Sequence, residues 1–369
     1  MNRQYPQLEI NLPKLRHNAR EVVERCRKYG INVCGVIKGA NGQVDVARAF
    51  LSGGATELGT SRIEQVVRCR EAGVPGPYLL LRVPMRSELE DVVQWCDTSL
   101  QSEADTLDAL EQVCVQLNKT HRVIVMADLG DLREGFWDKD EMVEVCAHVE
   151  RDLPHVHLAG IGVNLGCYGS IQPTPDKMED LVAIARRVED RIGRKLEVIS
   201  GGATSSYTLV HWDTMPAGIN HLRIGEGILN AKDLQVDWGI HDMDYLHMDA
   251  FTIRAQVLEV KTKPSHPVGK IAMDAFCRIP TYVDRGMRKR CLLGIGHADV
   301  GDASRLIPRL EGVEVLGGSS DHCILDIEDC AQEIRVGDVL EFSVIYSAML
   351  YATARDDVNI VVVDDAASD

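Results

Sequence analysis

The chain has 369 residues, 45% hydrophobic, 26% charged and only 5% aromatic, with a formal net charge of -16 at pH 7. This is a globular composition. The acidic balance argues against nucleic acid and anionic membranes as partners, and the few aromatic residues argue against base-stacking platforms. The length fits one large barrel with an added module, or two domains.

Eleven cysteines are scattered without a CxxC pair, which points to a reducing compartment. The segment Met1 to Pro6 holds no apolar stretch of signal-peptide length. No run approaches the roughly 18 apolar residues of a membrane span. A cytoplasmic enzyme is expected.

Apolar strand patterns occur at Val33–Lys38, Ala55–Thr60, Tyr78–Val83, Thr98–Gln101, Val123–Leu129, Leu158–Asn164, Glu197–Ser200 and His221–Ile224. Between them lie segments with helical spacing, among them Ser61–Cys69, Ser102–Leu110 and Met178–Ile192. Ser61, with Glu64 three residues on, reads as a capping box. Eight strand–helix units predict parallel strands with right-handed crossovers, closing into an α/β, TIM-type (β/α)8 barrel over residues 1–232. An open doubly wound sheet is the alternative.

After Asp233 the pattern changes. Short apolar runs at Ala250–Val260, Lys270–Phe276, Arg290–Gly294, Val313–Leu316, Cys323–Asp326 and Val339–Ile345 are separated by Gly and Pro. They predict a C-terminal all-β domain over residues 233–369, with Lys232–His247 as linker and Asp364–Asp369 as a frayed tail.

In such barrels chemistry gathers where strands end. Lys38 ends the first strand and precedes the turn Gly39-Ala40-Asn41-Gly42. Low-dielectric surroundings there would favour a neutral, nucleophilic amine; the alternative is a lysine that snorkels from a strand end. The strand-seven loop Ser200-Gly201-Gly202-Ala203-Thr204-Ser205-Ser206 combines glycines with hydroxyls, as a phosphate cradle or as an ordinary capped turn. Arg223 on strand eight could face a heteroaromatic nitrogen or form a salt bridge. Arg133, between Asp131 and Glu134, could equally be structural.

At these residues the chain resembles the alanine racemase-like, fold-type III pyridoxal phosphate enzymes, most of all the ornithine racemase branch. The segments that carry the resemblance are the strand ending in Lys38, Asp128–Gly135, Gly160–Gly169, Ser200–Ser206, Leu222–Leu229 and Gly294–Val300. The resemblance implies an amino-acid racemase with pyridoxal 5'-phosphate on Lys38 as an internal aldimine. It implies that Thr204, Ser205, Gly225 and Glu226 hold the phosphate. It places Arg223 at the ring nitrogen, Arg133 near the phenolic oxygen or the substrate carboxylate, and Asn164 against the ring. It also implies a homodimer whose β domains complete the partners' sites.

Two departures bear on substrate and mechanism. The lysine is followed by Gly-Ala-Asn-Gly rather than by the Asn-Ala-Tyr-Gly of alanine racemases, and Met126 stands where many of those carry a modifiable lysine. An amino acid larger than alanine is therefore expected, and the resemblance to the ornithine racemase branch implies a basic one such as ornithine or lysine, with broad or alanine specificity as an alternative. Because the segment Val268–Cys277 contains no tyrosine, the second base of a two-base racemase falls to Asp274 or Cys277, with His297 and Asp321 of later loops as further candidates. His297 and Asp321 are candidate substrate contacts. No metal-ligand spacing is diagnostic, so no metal is expected. A lyase or decarboxylase on the same scaffold, or a cofactor carrier, are the rival functions.

Overall fold

The computed structural model describes residues 4–364, so the expected tail at 365–369 lies outside the described residues. The chain forms two compact units, one of Pro13–His247 and one of Met1–Leu12 with Met248–Asp369.

In the first unit eight parallel strands close into a barrel. Taking β1 as Gln7–Asn11, of the other unit, the barrel strands are β2 (Asn32–Val36), β3 (Glu57–Thr60), β4 (Tyr78–Leu80), β5 (Thr98–Gln101), β6 (His121–Ala127), β7 (Val156–Val163), β8 (Val198–Ser200) and β9 (His221–Ile224). Closure is by β2 with β9, where Cys34 lies opposite Arg223. All eight coincide within a few residues with the predicted runs, and the open-sheet alternative is excluded. Cys34, Leu79, Leu100, Ile124 and Met126 fill part of the interior, as alternation along buried strands requires. Between β7 and β8 the backbones approach so closely that a Cβ on Gly160 would lie 1.8 Å from the Val198 oxygen.

The expected helices form, with shifted starts. The helix predicted from Ser61 begins at Ile63, and its N-cap, Arg62, makes no side-chain cap bond. The helix Pro175–Ile192 is better equipped, since Thr174 Oγ1 accepts from Lys177 N and Gly193 ends it at φ 76°.

Residues 233–247 were expected to link the domains and open the second. They pack within the barrel unit instead, because backbone groups there have barrel partners. The buried Asn18 amide donates to Ile228 O at 3.0 Å and to His247 O at 2.9 Å, and its oxygen accepts from His247 N at 2.8 Å. The Arg25 guanidinium lies 3.6 Å from the Tyr245 ring centre.

The second unit is an eight-stranded β assembly. Its strands after β1 are β10 (Phe251–Pro264), β11 (Met287–Leu293), β12 (Ile307–Pro308), β13 (Glu314–Gly318), β14 (Cys323–Asp326), β15 (Val339–Ser343) and β16 (Asn359–Val363). Strand β1, read from sequence as part of the barrel domain, pairs antiparallel with β10 and parallel with β16. The strand predicted at Lys270–Phe276 does not form. That segment is irregular and largely exposed, and Asp274 spends its carboxylate on local turn bonds.

Candidate active site

Lys38 opens a single 3-10 turn, Lys38–Ala40, directly after β2. Asn41 at φ 50° and Gly42 at φ +64° reverse the chain, and a Cβ on Gly42 would meet Gln65 Cβ at 2.6 Å. The glycine is required both by conformation and by space. Burial pushes the Lys38 amine below the usual lysine range. Arg133 and Arg223 push the same way, whereas Cys167 and Glu134 oppose them. Four side chains from three other strand ends therefore share the surroundings of this amine.

Arg223 is only 4% exposed. Its Nη1 donates to Ser200 Oγ, and its Nη2 donates to the Val163 carbonyl at 2.8 Å. Among the described residues no carboxylate pairs with it, and burial draws its guanidinium below its ordinary value. A buried cation without a contacting anion is costly, so its position calls for a use beyond packing. Arg133 forms a two-bonded fork with Glu134, which holds its charge firmly.

The loop after β8 is a 3-10 turn, Thr204–Ser206. Thr204 Oγ1 accepts from Gly225 N at 3.3 Å and Gly227 N at 3.2 Å, and Ser205 Oγ donates to Leu165 O at 2.8 Å. Gly202 sits at φ +120°, a backbone conformation that favours glycine, and a Cβ there would crowd Ser206 Oγ at 2.4 Å. The strand-seven and strand-eight loops are thereby stitched together. Glu226 points elsewhere: its Oε1 accepts from Lys232 N and Asp233 N, and burial followed by the Asp233 charge raises its pKa to about 8.

Asp128 and Asp131 organise the mouth from the strand-five loop. Asp128 Oδ1 accepts from Gly130 N at 2.8 Å and Leu132 N at 3.1 Å. Asp131 accepts from the backbone N–H groups of Gly166, Tyr168 and Ile171 at 3.1–3.4 Å.

The residues present suit pyridoxal phosphate. Lys38 offers an amine whose pKa burial draws down, and Arg223 offers a fixed cation. The buried Asn164 Nδ2 and Ser206 Oγ have no hydrogen-bond partner among the described residues, so two polar groups stand ready for a polar ligand.

Asp274, Cys277, His297 and Asp321 belong to the β unit. Asp274 Oδ1 accepts from Phe276 N and Arg278 N, each at 2.8 Å, and those backbone donors lead in holding its pKa low. Cys277 is exposed at φ 59°. His297 is buried; its Nδ1 accepts from Ala303 N at 3.1 Å, its Nε2 lies 3.1 Å from Gly318 O, and Phe276 packs edge-on at 4.4 Å. Asp321 is exposed and accepts from Ser320 Oγ.

Sequence reasoning gave no role to Cys167 beside Lys38 or to His221 and Glu57 behind Arg223, and read Ser200 only as part of the hydroxyl-rich loop. His221 carried a usable signal: it stands two residues before Arg223 on one strand, hence on the same face.

The alanine racemase N-terminal domain family matches residues 10–232. The chain belongs to this family. It is 40% identical over 348 residues to a lysine racemase of Thermotoga maritima, covering 94% of this chain and 96% of the relative. It is 38% identical over 346 residues to an ornithine racemase of Acetoanaerobium sticklandii, covering 94% and 96%. The fold matches an alanine racemase crystal structure from Streptomyces lavendulae with a TM-score of 0.76 at 18% identity over 99% of both chains. Membership brings pyridoxal phosphate as cofactor and amino-acid racemisation as the class of reaction. No described helix is long and apolar enough to cross a membrane.

Proposed function

We propose that the protein racemises a basic amino acid of the lysine and ornithine kind, with Lys38 carrying the cofactor and serving as one of two acid–base groups. The observation that carries this reading is the buried Lys38 amine, its pKa drawn down beside Arg223 and Arg133. The two relatives that align along nearly the whole chain support the substrate class. Bound pyridoxal phosphate supplies the electron sink for α-proton removal. Around it, Thr204 and Ser205, with the backbone at Gly225 and Glu226, would hold the phosphate. Arg223 would keep the ring nitrogen unprotonated, Asn164 would lie against the ring, and Arg133 would meet the phenolic oxygen or the substrate carboxylate.

We assign the second acid–base to the turn Asp274–Cys277 of the β domain, supplied by a partner subunit, with His297 and Asp321 nearby on that domain as substrate contacts. Cys277 is the better proton carrier of the two, since Asp274 is committed to three bonds from Phe276 and Arg278. A homodimer is supported by the exposed apolar side chains of this segment, with Val268 91%, Ile279 73% and Val283 77% exposed. The free state of all the described cysteines supports a cytoplasmic location.

The test is incubation of the purified protein with L-lysine and L-ornithine in heavy water. Deuterium at the α-carbon with loss of optical rotation is the expected result. Release of carbon dioxide or of an aldehyde instead would make the protein a decarboxylase or lyase. Borohydride reduction and peptide mapping should place the cofactor on Lys38.

A further inference from the structure

Arg223 raises a question that its two contacts do not answer: what balances a buried guanidinium whose hydrogen bonds, among the described residues, go to a hydroxyl and a carbonyl. The hydrogen bonds continue past Ser200 into the barrel. Ser200 Oγ lies 2.8 Å from His221 Nδ1, and His221 Nε2 lies 3.2 Å from Glu57 Oε2. Ser200 and His221 are buried, and Glu57 is largely so.

With a neutral His221 ring, counting donors gives the direction of this chain. The Arg223 Nη1–H can only donate, so Ser200 Oγ accepts from it. The single hydroxyl proton of Ser200 then has His221 Nδ1 as its acceptor. That leaves the His221 ring proton on Nε2, from which it donates to the Glu57 carboxylate. Every link has one donor and one acceptor, and the line ends on an anion. Cys34 Sγ lies at the far end, within 4.8 Å of a Glu57 oxygen.

We propose that Ser200, His221 and Glu57 are positioning residues for Arg223: they lock its guanidinium in place and supply a remote countercharge without letting a carboxylate touch it. The proposal rests on the reading that Arg223 faces the ring nitrogen of the cofactor. The separation has a chemical purpose. A carboxylate in direct contact would spread the positive charge and compete for the guanidinium, whereas a neutral hydroxyl orients it and leaves its other edge available. A firmly held cation keeps the ring nitrogen unprotonated, which limits the electron sink to what racemisation needs. It thereby disfavours the side reaction in which the α-carbon is oxidised, its electron pair passes to the cofactor, the amino group stays on the cofactor and water supplies the oxygen of a released 2-oxo acid.

Sγ of Cys34, a Glu57 oxygen and a His221 nitrogen all lie within 4.8 Å of one another, the donor set of a metal site. A metal there would take the Nε2 lone pair and abolish its donation to Glu57, so relay and metal exclude one another.

The experiment uses the holoprotein with Ser200→Ala, His221→Gln, Glu57→Gln, Glu57→Asp and Arg223→Lys. Two readouts besides turnover are followed: the absorption spectrum of the Lys38-bound cofactor across pH, and the 2-oxo acid released per racemic turnover. Glu57→Gln and His221→Gln should change the spectrum and raise the 2-oxo acid fraction several-fold in the direction of Arg223→Lys, with Lys38 still labelled by borohydride. Glu57→Asp should restore the original behaviour in part. Ser200→Ala, the smallest change, should show the same trend should either larger change prevent folding. If all three relay variants keep the original spectrum and product ratio while Arg223→Lys alters both, the relay is wrong and the assignment of Arg223 survives. If Arg223→Lys also leaves both unchanged, the reading of Arg223 fails with it. An equivalent of zinc in the purified protein that is lost in Cys34→Ser would also overturn the relay.

Discussion

The carboxylate of Asp131 accepts the backbone N–H of Gly166 at 3.1 Å, so one acidic side chain from the fifth strand end holds the loop leaving the sixth. Tyr168 and Ile171 donate to the same carboxylate. Asp131→Ala should strand these donors, at about 1–3 kcal/mol for each one left buried and unmatched. Urea unfolding should show the loss, and the affinity for pyridoxal phosphate should fall with it. Asp131→Asn keeps one acceptor oxygen and should recover part of both.

Lys38→Ala should cut α-proton exchange by at least about 10²–10⁴-fold, the scale of a lost positioned acid–base. The neighbours of Lys38 permit a finer check. Glu134 raises the amine's pKa and Arg133 lowers it, although burial remains the largest influence. In the apoprotein, the pH midpoint for capturing the cofactor aldehyde should therefore lie below that of free lysine. It should fall further in Glu134→Gln and rise in Arg133→Ala. Stopped-flow absorbance across pH measures both; shifts of the same sign would contradict the placement.

Glu226 has a pKa raised to about 8 from its ordinary 4.5, by burial first and then by Asp233. The folded state thus holds a proton that the unfolded state releases between these values. Stability is full below pH 4.5 and declines as pH rises toward 8, by an amount on the order of a few kcal/mol. Glu226→Gln should flatten that slope in chemical denaturation at several pH values.

Gly135 has φ +121°, and a Cβ there would sit 2.6 Å from the Ala127 carbonyl carbon. Gly135→Ala should destabilise by more than about 3 kcal/mol, as steric clash against backbone does. Denaturation midpoints would show it, and a neutral result would mean that the loop after β6 is not held as described.

The barrel was legible because most of its parallel strands are rich in apolar residues and several are followed at once by Gly, Ser or Asp, with Lys38, Thr204 and Arg223 at or near such ends. The β unit was read less well. Lys270–Phe276 is apolar enough for a strand, yet exposed apolar residues there are not buried by this chain. Strand β1 was missed because Gln7–Asn11 is short and its partners lie some 240 and 350 residues away. Glu57 was missed because nothing local reveals that its side chain on β3 reaches His221 on β9, 164 residues away.

The pairing of Gln7–Asn11 with both Phe251–Pro264 and Asn359–Val363 also bears on biosynthesis. Strand β1 lies between two strands that leave the ribosome long after it does. The barrel has all its strands once residue 224 has emerged, long before that first strand finds its second neighbour. On a nascent chain the barrel should mature early while β1 waits with open edges, a stretch of synthesis when a chaperone is needed.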